Sequence, residues 1–506
     1  MKKPELVDFD QERIRVLHFT WIAFFITFYL WFNMAPLAST MLRNLDWLTK
    51  EHLKVLAICN VALTIPGRII IGILIDRYGP RRVFGWLMII MSFPVFAFAL
   101  GNTFIQLLIA RLFLSVIGAG FVVGIRMVAD WFPPKMMGRA EGFYAGWGNF
   151  GSAWAAMTLP WIALSVFGSY EDGWRYALMV NGMVSLIYGV MYMRLVNDMP
   201  DGAVFHGAKK VQPMEVSSWF DLFQYIVWSA PLMGALALLA WRLSTVKLSG
   251  AETAFFTPTM LYISWAVLGA IYVMHVFKTL QVNVPLLKAG IPEEDKYSFA
   301  NVAVLNTTYF ANFGAELAVV SMLPIFFETV FIIDPKLAGM VAASFAFVNL
   351  FARPLGGLVS DALGSRKLVM LIYMLGITAG FFGMAFINAA WPIWVAVVLT
   401  ITCSVFVQGA EGATFAVIPF IKRRMTGQIA GMAGAYGNVG AVCYLIAYSL
   451  VDAKTFFLIL SAGAGISFLC CLLFMTEPKG SFAEEFEVDH IPEDAEGHLL
   501  KEKTID

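Results

Sequence analysis

Charge is what this sequence has least of. Only 14% of its 506 residues are Asp, Glu, Lys or Arg, where a soluble globular chain carries about a quarter. Those present cancel, 35 basic against 35 acidic, so net charge points to no nucleic acid and no acidic surface as a partner. Histidine is scarce too. His18, His52, His206, His275, His490 and His498 form no pair at haem or metal spacing, which argues against a haem- or quinone-linked redox enzyme. The five cysteines, Cys59, Cys403, Cys443, Cys470 and Cys471, fall in apolar runs without ligand spacing and read as small buried hydrophobes. No metal and no cofactor is expected. Enzyme motifs are missing, and with no phosphate-binding loop there is no sign of ATP as a drive. Nor is a cleavable leader expected. Met1-Lys2-Lys3 is basic, but Glu5, Asp8, Asp10, Glu12, Arg13 and Arg15 precede the first apolar run, which is long enough to be a retained span.

What is abundant is hydrocarbon. The chain is 59% hydrophobic, with mean hydropathy +0.73. The fold class is therefore an all-α polytopic membrane protein. Spans are expected at 17–37, 52–75, 83–101, 104–128, 140–166 and 174–195, and again at 298–327, 338–361, 367–388, 391–416, 428–450 and 455–475. Two further apolar runs, 219–241 and 258–279, lie between these sets of six. The parts are then 1–16, an N-terminal half 17–198, an inserted region 199–297, a C-terminal half 298–475 and an acidic tail 476–506. The inserted runs read as two extra spans, although Asp221, Pro231 and His275 leave open a large, partly inserted loop. Basic residues in short loops, Arg77/Arg81/Arg82, Lys135/Arg139, Arg366/Lys367 and Lys422/Arg423/Arg424, fall on one side. That side is expected to be the cytoplasm, with both termini there.

Two repeats tie the halves together. Arg68, Gly72, Asp76, Gly79 and Arg81/Arg82 return as Arg353, Gly357, Asp361, Gly364 and Arg366/Lys367, with Arg77 in the first copy only and Arg68 and Arg353 285 residues apart. The stretch Gly138, Gly142, Ala145, Gly148, Asn149, Gly151 returns as Gly427, Gly431, Gly434, Gly437, Asn438, Gly440, with the asparagines 289 apart. Parallel repeats of six helices describe the major facilitator architecture.

The first repeat strands one arginine in each apolar run. Counting from Asp76 as the membrane edge, Arg68 lies about 12 Å deep, near the middle of a roughly 30 Å core. Arg353 matches it. Mid-membrane arginine is costly and must be paired or solvated inside the bundle. One reading is an interhelical ion pair for each. The other is two cations facing each other across the axis, a site for a small planar oxyanion that suits the guanidinium fork. The glycines allow close helix packing; with Asn149 and Asn438 they also suit a narrow anion path. Tyr309 and Phe313, four apart and so on one helix face, offer a phenol donor and an aromatic wall. Glu316 and Glu411 sit inside apolar runs. Glu411 either pairs with Arg126, its counterpart in the other half, or, like Glu316, takes up a proton during transport.

The Gly72–Arg82 and Gly357–Lys367 stretches resemble the loop motif of the major facilitator superfamily. The segments ending Gly148-Asn149-Phe150-Gly151 and Gly437-Asn438-Val439-Gly440 resemble the nitrate signatures of its nitrate/nitrite porter family. Ala315–Pro324 and Glu477–Ser481 are similar to the cyanobacterial-type nitrate permeases. The resemblance implies import of nitrate and nitrite for assimilation, by alternating access across the plasma membrane. It implies that Arg68 and Arg353 bind the anion, that Tyr309, Phe313 and Phe121 complete the site, and that Gly148, Asn149, Gly437 and Asn438 serve it. Proton symport is the expected drive. A nitrate/nitrite exchanger on the same scaffold, or an anion sensor or channel, are the alternatives.

Overall fold

In a computed structural model, residues 8–132, 134–200, 213–247, 254–422 and 425–478 are described. The first and last residues, including most of the acidic tail, lie outside them, as do 201–212 and 248–253 of the inserted region and Arg423 and Arg424. The regular structure of the described residues is helical, with one isolated bridge between Lys247 and Ala254. The first half comprises α1 (Glu12–Trp31), α2 (Ala38–Asn44), α3 (Lys50–Ala62), α4 (Thr64–Tyr78), α5 (Pro80–Leu100), α6 (Phe104–Leu114), α7 (Gly120–Trp131), α8 (Pro134–Trp161) and α9 (Gly173–Leu195). The inserted pair is α10 (Trp219–Thr245) and α11 (Pro258–Ala289). The second half holds α12 (Phe299–Ala311), α13 (Phe313–Phe331), α14 (Pro335–Phe347), α15 (Asn349–Leu363), α16 (Arg366–Met384), α17 (Ile393–Val417), α18 (Thr426–Leu450) and α19 (Ala453–Phe474).

Thirteen helical stretches among the described residues are long and apolar enough to cross a membrane. Several are two helices end to end, such as Lys50–Ile75 and Phe299–Phe331. The 28-residue α8 is long enough but diluted by glycine, and it completes fourteen. Both inserted runs are long helices. The polar residues that put them in question have partners. Asp221 accepts from the Phe299 backbone N–H at 3.1 Å, and His275 meets Ser229 at 3.1 Å. α11 lies on α10, stitched by Tyr272 to the Ile226 carbonyl at 2.9 Å and Trp265 to the Ala237 carbonyl at 3.0 Å. The most apolar stretch of α11 has none of its residues buried, as a lipid-facing helix requires.

Two of the helix breaks repeat with the arginines. α4 begins at Thr64 and α15 at Asn349, the same interval of 285 as Arg68 to Arg353. Each arginine thus sits just over one turn into a fresh helix.

The loop motif closes each half in the same way. Gly79 ends α4 at φ +85° and Gly364 follows α15 at φ +62°, a left-handed backbone that glycine adopts without strain. The next helix begins at once, and a carboxylate from the end of that half's last helix caps it. Asp198 Oδ1 accepts from the Arg81 backbone N–H at 2.7 Å. Glu477 accepts from the backbone N–H groups of Arg366 at 2.7 Å and Lys367 at 3.1 Å. Acid at a helix N-terminus satisfies orphan N–H groups and the dipole. The side chains of Asp76 and Asp361 lie outside what is described.

Candidate functional site

Arg68 and Arg353 are both fully buried, at 0% and 1% exposure. They are brought together by two shared aromatic rings. The Arg68 guanidinium carbon lies 5.6 Å from the Phe121 centroid and 4.9 Å from that of Phe313. For Arg353 the distances to the same rings are 6.0 and 5.6 Å. Tyr309 stacks on Phe313 at 4.9 Å, and Phe415 stands edge-on to both Phe121 and Tyr309, at 4.6 and 4.9 Å. The break between α12 and α13 sets up this wall. Asn312 stops one helix, and its side-chain oxygen accepts the Phe313 N–H at 2.5 Å. Tyr309 and Phe313 then face the arginines from either side of the break.

The two arginines are held by different means. Arg68 donates to backbone carbonyls, Gly118 at 3.4 Å and Gly434. Arg353 meets two carboxylates, Glu316 at 3.1 Å and Glu411. Asn349 steadies Glu316 with a hydrogen bond of 2.6 Å. The alternative of an interhelical ion pair therefore describes Arg353 and not Arg68. Glu411 is turned to Arg353 rather than to Arg126, whose guanidinium bonds Asp130 at 2.9 Å one helical turn on. The two differ in burial: Glu411 is enclosed with the arginines, whereas Arg126 and Asp130 are partly exposed.

Three buried donors in this cluster have no aligned partner among the described residues. They are Arg68 Nη2, Arg353 Nε and the Tyr309 hydroxyl. Tyr309 lies beside Arg68 and within electrostatic reach of both arginines. Buried donors are ordinarily paired, so three unmade bonds around two aromatic faces mark a place for an acceptor. Guanidinium and phenol together supply planar, directional donors of the kind an oxyanion with several oxygens takes.

The glycine stretches divide in role. Gly437 lies against the ring wall; a Cβ there would come 2.6 Å from Phe313 and 2.7 Å from Tyr309. Gly434 lies 3.0 Å from Arg68 by the same measure, and its carbonyl accepts from both Arg68 and Asn438. Asn438 is thus linked to the cluster through one carbonyl. Gly148 packs on Phe24, and Asn149 bonds the Ala145 carbonyl of its own helix at 2.9 Å, so neither meets an arginine directly. Gly437→Ala is expected to displace the Tyr309–Phe313 stack and to lower transport at least about tenfold, because a backbone-borne methyl cannot yield. Uptake per molecule of protein in the membrane measures it, and unchanged uptake would remove Gly437 from the site.

Some members were not read from the sequence. Phe415 follows Glu411 by four residues and Asn349 precedes Arg353 by four, so helical spacing from a recognised site residue would have found both. Outside the anion cluster, Glu141, which sequence position alone puts near the cytoplasmic edge of its span, lines a small cavity with Arg353 and Glu411.

The Major Facilitator Superfamily model matches residues 20–291 and 305–503. The nitrate/nitrite transporter NrtP of Nostoc punctiforme is 46% identical over 480 residues, covering 94% of this chain and 95% of that one. The protein of the same name from a Picosynechococcus strain is 42% identical over 516 residues, with the same coverage of each. Among solved structures, the partially occluded inward-open xylose transporter XylE of E. coli matches with TM-score 0.60 at 15% identity, covering 93% of this chain and 99% of XylE, a likeness of fold. The repeats, the membrane-spanning helices, the paired arginines and these matches agree: the chain belongs to the Major Facilitator Superfamily, in the same family within it as the cyanobacterial NrtP proteins.

Proposed function

We propose that this protein imports nitrate, and nitrite with it, across the plasma membrane by alternating access, and that a proton accompanies the anion. Residues 17–198 and 298–475 would rock about the arginine site, with both termini and the basic turns on the cytoplasmic face. The names of the relatives support the substrate. The three unpartnered donors support an oxyanion between Arg68 and Arg353, with Tyr309, Phe313 and Phe121 around it. These residues would select by planarity and charge.

The observation that carries the proton is the pair of carboxylates on Arg353. Two arginines and two glutamates sum to zero. An anion added to that cluster leaves one negative charge uncompensated in a medium where buried charge is expensive. One proton on Glu316 or Glu411 restores neutrality. It also frees the guanidinium, since carboxylate and nitrate compete for the same donors. Proton and anion therefore bind together more readily than either alone, which is what couples them.

Labelled uptake into proteoliposomes tests this. An inside-alkaline gradient of one pH unit is expected to raise nitrate accumulation about tenfold for each coupled proton. Uptake that ignores the gradient and requires internal nitrite would establish exchange instead.

A further inference from the structure

The geometry points to Glu141 as a second proton site: it receives the proton that Glu411 gives up and releases it to the face carrying the basic turns. This deepens the proton-coupled reading and rests on it. Glu141 lies on α8 at 3% exposure, and among the described residues neither of its carboxylate oxygens has a hydrogen-bond partner. A buried carboxylate with no donor and no paired cation is stable only when neutral. It opens on a cavity of about 10 Å³ that it shares with Glu411 and Arg353, roofed by Phe121 and Phe415. That is about the space of one water.

Among the described residues the charged and titratable surroundings are few. α15 presents Arg353 and α17 presents Glu411. Arg366, at the start of α16, acts on Glu141 through its charge. α7 contributes Ile125 to the cavity, and its Arg126 is bonded to Asp130. From α1, His18 packs its ring on Phe143, two residues on, and α14 meets α8 farther along, through Phe347 on Phe150. On α8 itself Arg139 is exposed. The repeat isolates the acid further. Gly142 is needed where α8 crosses α15, since a Cβ there would lie 2.8 Å from the Pro354 Cα. Its neighbour Glu141 corresponds to Ala430 in the second copy, so packing does not call for a carboxylate.

The step is a proton transfer alone. The O–H bond of the Glu411 acid breaks as its proton passes to a water in the cavity, and that water gives a proton to a Glu141 oxygen. Glu411, ionised again, returns to Arg353; Glu141, now neutral, needs no cation. When the face bearing the basic turns opens, Glu141 gives its proton to solvent.

Glu141→Gln in proteoliposomes separates this proton from the anion. Nitrate counterflow at equal nitrate on both sides, which needs no net proton movement, is expected within about twofold of wild type, while accumulation driven by a one-unit pH gradient falls by about the tenfold that one coupled proton supplies. Proton uptake on nitrate addition should vanish with it, and Glu141→Asp should retain both. Gradient-driven accumulation at the wild-type level in Glu141→Gln would overturn the assignment, and so would counterflow lost in step with accumulation. Wild-type protein that ignores the gradient would remove the coupled reading itself, before any variant is made; failure of Glu141→Gln alone leaves that reading standing.

Discussion

Arg68→Lys is expected to lower nitrate uptake at least about 30-fold while leaving the protein as stable as wild type. The charge is retained, so the loss reports the guanidinium fork: a lysine ammonium cannot hold the Gly434 carbonyl and reach an anion with separate, planar donors. Stability should hold because Arg68 has two backbone carbonyls as partners rather than a buried carboxylate. Taking its charge density to a single point leaves no anion stranded in the core. Nitrate binding by purified protein, together with thermal unfolding in detergent, gives both readings. Wild-type affinity in Arg68→Lys would mean that the anion does not use this arginine.

Arg353→Ala should behave differently, although the two arginines are related by the repeat. It leaves Glu316 and Glu411 buried at 3% and 1% exposure without their cation. Removing one partner of a buried ion pair costs about 3–5 kcal/mol, enough to lower the yield of folded protein sharply. Neutralising the acids should recover it. Arg353→Ala combined with Glu316→Gln and Glu411→Gln is expected to regain most of that stability while remaining inactive in uptake. The double-mutant logic is direct, since coupled sites give non-additive losses. An Arg353→Ala protein as stable as wild type would show that the acids are compensated from elsewhere. A triple variant no more stable than the single one would show that packing, not charge, is what Arg353 supplies.

The difference between these arginines marks how far the sequence could be read. The constant interval from Arg68 to Arg353 placed both at one depth and on the same axis, because helical rise converts residue number into distance. The inserted runs were legible by length, and their polar residues prove to be bonded across helices. What the sequence could not carry was which acid meets which cation. Glu316 is 37 residues from Arg353 and Glu411 is 58, and nothing local links them. The analogy of Glu411 with Arg126 in the other half suggested a bridge, but pseudo-symmetry relates positions and does not bring them into contact. Asp198 and Glu477 were missed as helix caps for the same reason: each acts on a turn more than 100 residues earlier.

Those two caps have a mechanical consequence. Each joins the end of the last span of its half to the start of the third span, α5 or α16, and so closes the last four spans of that half into a ring. A ring has fewer ways to deform than a string. Motion is then concentrated at the seam where the halves touch, along α4 with α18 and α8 with α15. The acid differs, aspartate in one ring and glutamate in the other, and the fastening is the same. A hinge needs two stiff leaves more than it needs a soft pin, and a pair of carboxylates outside the arginine cluster supplies that stiffness.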